Sequence, residues 1–123
     1  MSNEWRQLVE LAKREVEATL RSLPAPLREP ARAVPITYEP WPNDALVADG
    51  VEEDSLGLFV GGEYADGDHV VIPAQIILFL ENILDMVEGY EDEFCAEVRT
   101  TLLHELGHYL GLNEDELFDR GLE

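Results

Sequence analysis

His104-Glu105-Leu106-Gly107-His108-Tyr109-Leu110-Gly111-Leu112-Asn113-Glu114 places its polar residues as H-E-x-x-H-x-x-G-x-x-E. Residues four apart on a helix lie on one face, one turn above the other. His104 and His108 can therefore aim two imidazoles at one ion. Glu105 follows His104 at a rotation of about 100°, beside the ion rather than on it. A general base that takes a proton from a metal-activated water needs that place. Gly111 stands where a helix ends, and a positive φ there lets the chain turn sharply. Such a turn can bring Glu114 back under the histidines as a third ligand. Three protein ligands and one open position is the arrangement of catalytic zinc, whereas structural zinc is closed by four.

H-E-x-x-H alone arises by chance in roughly a few per thousand chains of this length. The added Gly and acidic residue lower that by on the order of a hundredfold, so the extended motif is the better discriminator. The helix around it has the right polarity. At about 100° per residue, Phe94, Cys95, Val98, Leu102, Leu103, Leu106, Tyr109 and Leu110 share one half of the wheel. Glu97, Thr101, His104 and His108 share the other, with Thr100 at its margin. A polar stripe carrying both histidines opposite an apolar one suits a metal helix better than two solvated surface histidines.

The stretch resembles the zincin metallopeptidases with the extended H-E-x-x-H-x-x-G-x-x-(H/D/E) signature. It is most similar to the small bacterial zincin-like proteins called minimal metallopeptidase domains. The run from Glu97 to Leu112, the acidic segment after it, and the upstream Leu56-Gly-Leu-Phe-Val-Gly carry the likeness, over roughly residues 30 to 120. The resemblance implies an α+β fold, with a small mixed sheet packed on an N-terminal helix and a C-terminal metal-binding helix. It also implies zinc held by His104, His108 and Glu114, with Glu105 as base. Larger metzincins add a Met-containing turn after the motif. The only methionines here are Met1 and Met86, so that support is absent.

A chain of 123 residues with 46% apolar content is sized for one folded domain, residues 1–123. The N-terminus lacks the basic and apolar blocks of a signal peptide, and no apolar run approaches eighteen residues, so a cytoplasmic location is expected. The single cysteine excludes an internal disulfide. Cys95 sits about 180° around the helix from His104, among apolar neighbours, and reads as a buried packing thiol. The net charge of −19 repels phosphates, which disfavours nucleic acid and anionic membrane as partners. Acidic residues run all along the chain. They serve solubility first, and can also draw divalent cations or steer a basic substrate.

Trp5, Leu8, Val9, Ala12, Val16, Leu20 and Leu23 recur at helical spacing, so a helix is expected over about Glu4–Ser22, capped by Ser2 or Asn3. Three prolines within residues 23–32 predict a connector. Val34–Glu39 and Leu56–Val60 read as strands, and residues 46–55 as an acidic surface loop. The apolar run Gln75–Leu80 suits a buried strand or helix, because periodicity does not separate the two. A turn at Asp66-Gly67 with short flanking strands is expected between them. The metal helix should start near Glu91 in an acidic first turn, and a short helix to Arg120 should close the chain.

In the zincin fold that this sequence resembles, an extended substrate pairs with an edge strand above the metal helix, here Leu56–Gly61. Gly57, Gly61 and Gly62 either allow close approach of a substrate backbone or are ordinary turn residues. His69 is a loop histidine more readily read as exposed than as a spare ligand, and Tyr109 as core rather than an oxyanion donor. The expected activity is zinc-dependent hydrolysis of a peptide or protein substrate, with Glu105 moving the proton. The alternatives are a non-catalytic, metal-stabilised acidic module for a basic partner, and an acidic structural protein without metal.

Overall fold

A computed structural model describes residues 3–61, 73–112 and 116. Its α+β architecture is a three-stranded mixed sheet packed against helices from both ends of the chain. The elements are α1 (Asn3–Ser22), α2 (Ala25–Arg32), β1 (Ile36–Glu39), α3 (Asp44–Ala48), β2 (Gly57–Val60), β3 (Gln75–Phe79), α4 (Leu80–Met86) and α5 (Glu91–Leu110).

β3 is the middle strand, in the order β1-β3-β2. It runs parallel to β1, with Ile36 opposite Ile76, and antiparallel to β2, with Gly57 opposite Leu78. Being central and covered by helices, it loses the alternation of a half-exposed strand. Ile76, Ile77, Leu78 and Phe79 are all buried, which explains the unbroken apolar run. The run ends one residue earlier than expected. Leu80 already belongs to α4, which leaves the strand with no loop between them.

α1 follows the predicted stripe: Leu8, Ala12, Val16 and Leu20 are buried, and Trp5 and Val9 pack at its margin. The proline-rich stretch is not a connector. Pro24 caps α2 and Pro26 lies in its first turn, where a missing N–H leaves no helical bond unmade. Burial of Leu27 and Ala31 then offsets the break at Pro30. Arg28 closes the α1–α2 corner by donating through Nε and Nη2 to the Leu23 carbonyl, and Arg32 pairs with Glu17 across it.

The expected acidic loop also begins in a helix, α3, whose Asn43 side chain accepts from the Leu46 N–H. Asn82 then donates to the carbonyls of Glu53 and Ser55, fixing the segment that leads into β2. The predicted turn at Asp66-Gly67, together with His69 and Gly62, lies outside the described residues. So does the final helix apart from Glu116.

α5 is the deepest helix, with Phe94, Val98, Leu102 and Leu106 against α1, α4 and β3. Its acidic first turn, Glu91, Asp92 and Glu93, complements the helix dipole. Phe94 is fully buried at the start of that row. Phe94→Ala is expected to lower stability by about 3–5 kcal/mol in denaturant unfolding. A loss under 1 kcal/mol would show that the N-terminal turn of α5 is not packed as described.

Candidate metal centre

The site begins with how β2 lies on α5. Thr101, Glu105 and Tyr109 are successive i, i+4 positions and form one ridge of the helix. Gly57 and Phe59, two apart on β2, point to that ridge together. A Cβ added at Gly57 would sit 2.7 Å from Thr101 Cγ2 and 3.3 Å from Glu105 Cγ. The Phe59 ring lies 5.9 Å from that of Tyr109. The strand thus runs along the ridge almost in backbone contact at one end, and is held by an aromatic pair at the other.

This packing corrects the reading of Thr101 and decides between the alternatives left open for Gly57 and Gly61. Thr101 was expected on the open polar half of the helix but is buried, because β2 covers it. Its hydroxyl lies 3.3 Å from Glu97 Oε1 and donates to it. The space at Gly57 is taken by α5 side chains rather than left for a substrate backbone. Gly61 is a turn residue: its φ of +103° and the Pro73–Ala74 backbone 2.7 Å from a would-be Cβ leave no room for another side chain. A signal for the Gly57–Thr101 contact was present, since a small strand residue must face a helix ridge that approaches this closely.

Glu105 is only 6% exposed, under the strand. His104 and His108 are exposed. They lie on the flank of the ridge opposite the buried Leu102–Leu106 row, open to solvent. Their Nε2 atoms approach to 3.2 Å, with ring planes at 88°. Two nitrogens bound to one tetrahedral zinc at ordinary bond lengths are separated by about 3.3 Å. The imidazoles are therefore already spaced for a common ion. One ligand atom from each of His104, Glu105 and His108 lies within 4.8 Å of the others, a group able to hold a metal ion.

Burial raises the Glu105 pKa above the ordinary carboxylate value, and His104 and His108 pull it partly back. The same carboxyl is thus beside the metal position, shielded from bulk water, and more basic than a surface glutamate. That is the combination a proton acceptor requires.

α5 ends as the sequence predicted. Gly111 adopts the left-handed conformation, φ 72° and ψ 27°, and the Leu112 N–H returns to the Gly107 carbonyl at 2.7 Å. The chain turns back at Gly111 and Leu112; Glu114 lies outside the described residues. Tyr109 is core, as expected. Cys95 is partly rather than fully buried. Its thiol pKa is pushed up by burial and then by Glu15, Glu91 and Asp92.

Fold and site together define a metallopeptidase-like domain: an H-E-x-x-H helix beneath strand β2 of a small mixed sheet. The sequence model of the zincin-like metallopeptidase family matches residues 31–122, and the chain belongs to that family. No curated protein matches the chain. Among the described residues, no helix is long and apolar enough to cross a membrane.

The raised Glu105 pKa has a definite sign in stability. Below about pH 4 the carboxyl is protonated folded and unfolded alike, so burying it carries no charge penalty. As pH rises through the unfolded value and then the higher folded one, ionisation removes stability. Metal-free Glu105→Gln is therefore expected to be more stable than the parent at pH 7, with the gain vanishing near about pH 3. Chemical denaturation at both pH values measures it, and a pH-independent difference would contradict the burial of a titrating carboxyl.

Proposed function

We propose that the protein is a zinc-dependent peptidase in which His104 and His108, joined by Glu114, hold the metal and Glu105 acts as general base. The observation that carries this reading is the 3.2 Å convergence of the two Nε2 atoms with a buried carboxylate alongside. Two imidazoles and a carboxylate are a ligand set that suits zinc. Zinc bound there supplies a Lewis acid that acidifies water and polarises a carbonyl.

The remaining work falls to the chain itself. Glu105 accepts the proton of the attacking water, helped by the burial that raises its basicity, and delivers it to the departing amine. Among the described residues β2 is an edge strand, so its outer backbone groups can pair with an extended peptide. A peptide held there lies beside the flank from which His104 and His108 emerge. Gly57 and the Phe59–Tyr109 pair keep that edge at a fixed height over Glu105.

The test is zinc content and hydrolysis of an unbiased peptide mixture by the parent, Glu105→Gln and His104→Ala. The expected result is about one zinc per chain in the parent and in Glu105→Gln, with turnover reduced by roughly 10²–10⁴-fold in the latter. His104→Ala should lose both zinc and turnover. Retained hydrolysis in Glu105→Gln would overturn the base. Zinc binding with no hydrolysis by the parent would instead favour a metal-stabilised binding module for a basic partner, consistent with the net charge of −19.

A further inference from the structure

The turn after β1 and the segment before β2 border an open cavity of about 610 Å³, within the range of small-ligand pockets. Trp41, Pro42 and Val47 give it an apolar wall, and Asp44, Glu53 and Asn82 line the rest. Trp41 is 59% exposed, unusual for the largest apolar side chain, while its neighbour Pro42 is buried and anchors it. The Asn82 amide spends its N–H bonds on the carbonyls of Glu53 and Ser55, leaving its oxygen, an acceptor, as its other polar atom. No Lys or Arg lines the cavity, and among the described residues neither Asp44 nor Glu53 is in an ion pair. An open indole face with two carboxylates and an acceptor beside it matches a cation on a flexible apolar stem.

We propose that this cavity is a subsite for an arginine or lysine side chain of a peptide bound along β2. The proposal rests on the peptidase reading for the placement of that peptide. β2 begins at Gly57, directly over Glu105, and Glu53 lies four residues earlier, a span of at most about 14 Å. Trp41 follows β1, across β3 from β2. A peptide paired with β2 and continuing past Gly57 meets the Glu53 side of the cavity first, and reaches Trp41 by crossing the end of β3. The cation stacks on Trp41, its charge is met by Asp44 and Glu53, and its alkyl stem covers Pro42 and Val47.

The test uses the Glu105→Gln chain, so that binding is read without turnover. Alanine–serine peptides of about eight residues carry one arginine at successive positions, each paired with its neutral citrulline isostere, and are titrated by calorimetry. The best-placed arginine peptide is expected to bind about tenfold more tightly than its citrulline match. Trp41→Ala, and separately Asp44→Asn with Glu53→Gln, should bring that ratio close to one. Glu4→Gln with Glu10→Gln removes the same charge from exposed α1 positions and should leave the ratio unchanged. Equal binding of the two peptides, no measurable binding of either, or a preference that survives the cavity variants would overturn the subsite. A preference that depends on Trp41 in a protein that hydrolyses nothing would uphold the subsite while the peptidase reading fails. Hydrolysis of arginine and citrulline peptides alike, with equal affinity, would do the reverse.

Discussion

β2 can lie on α5 only because residue 57 has no side chain. With Thr101 Cγ2 at 2.7 Å and Glu105 Cγ at 3.3 Å from the position a Cβ would take, an ordinary residue would have to push strand and helix apart. That one close approach sets the height of the edge strand over the helix. It also buries the Glu105 carboxyl and leaves the two histidines to emerge on the open flank. The rest of the core makes the platform rigid. Fully buried Phe94, Val98 and Leu102 tie α5 into the core, and the Phe59–Tyr109 contact fixes β2 at its far end.

Burying a carboxylate under a strand costs stability, and proteins keep such groups where chemistry uses them. Glu105 accepts no neutralising ion pair from Lys or Arg among the described residues; the groups that offset its burial are the two histidines. Its position and the raised pKa have one cause, namely desolvation beneath β2. The geometry and the proton affinity required of a general base thus arise from the same packing event rather than from two separate features of the sequence.

The features legible in the sequence were those governed by local periodicity. The α1 stripe, the H-E-x-x-H helix from Glu91, and the left-handed stop at Gly111 all follow from spacing and residue type. So does the strand character of Gln75–Phe79 once its central place in the sheet is known. What escaped depended on partners distant in the chain. Thr101 is polar by its place on the wheel, and only the strand above it makes it buried. Prolines in residues 23–32 signal a broken chain. Yet Pro24 and Pro26 start a helix that Leu27 and Ala31 hold against the core. The cap at Asn43 was visible as a residue type but short enough to be passed over in an acidic stretch. Within the site, His104, Glu105 and His108 converge as the motif suggested, while the place of Glu114 lies beyond the described residues.

The most direct test of the central contact is a double-mutant cycle between Gly57→Ala and Thr101→Ser, followed by denaturant unfolding. Thr101→Ser removes the methyl that lies nearest to the added Cβ and keeps the hydroxyl that donates to Glu97. Gly57→Ala alone is expected to cost about 1–3 kcal/mol, and clearly less in the Thr101→Ser background. Penalties that simply add, or a Gly57→Ala chain as stable as the parent, would mean that β2 does not lie on α5 at the distance on which the buried Glu105 carboxyl and the open flank of histidines both depend.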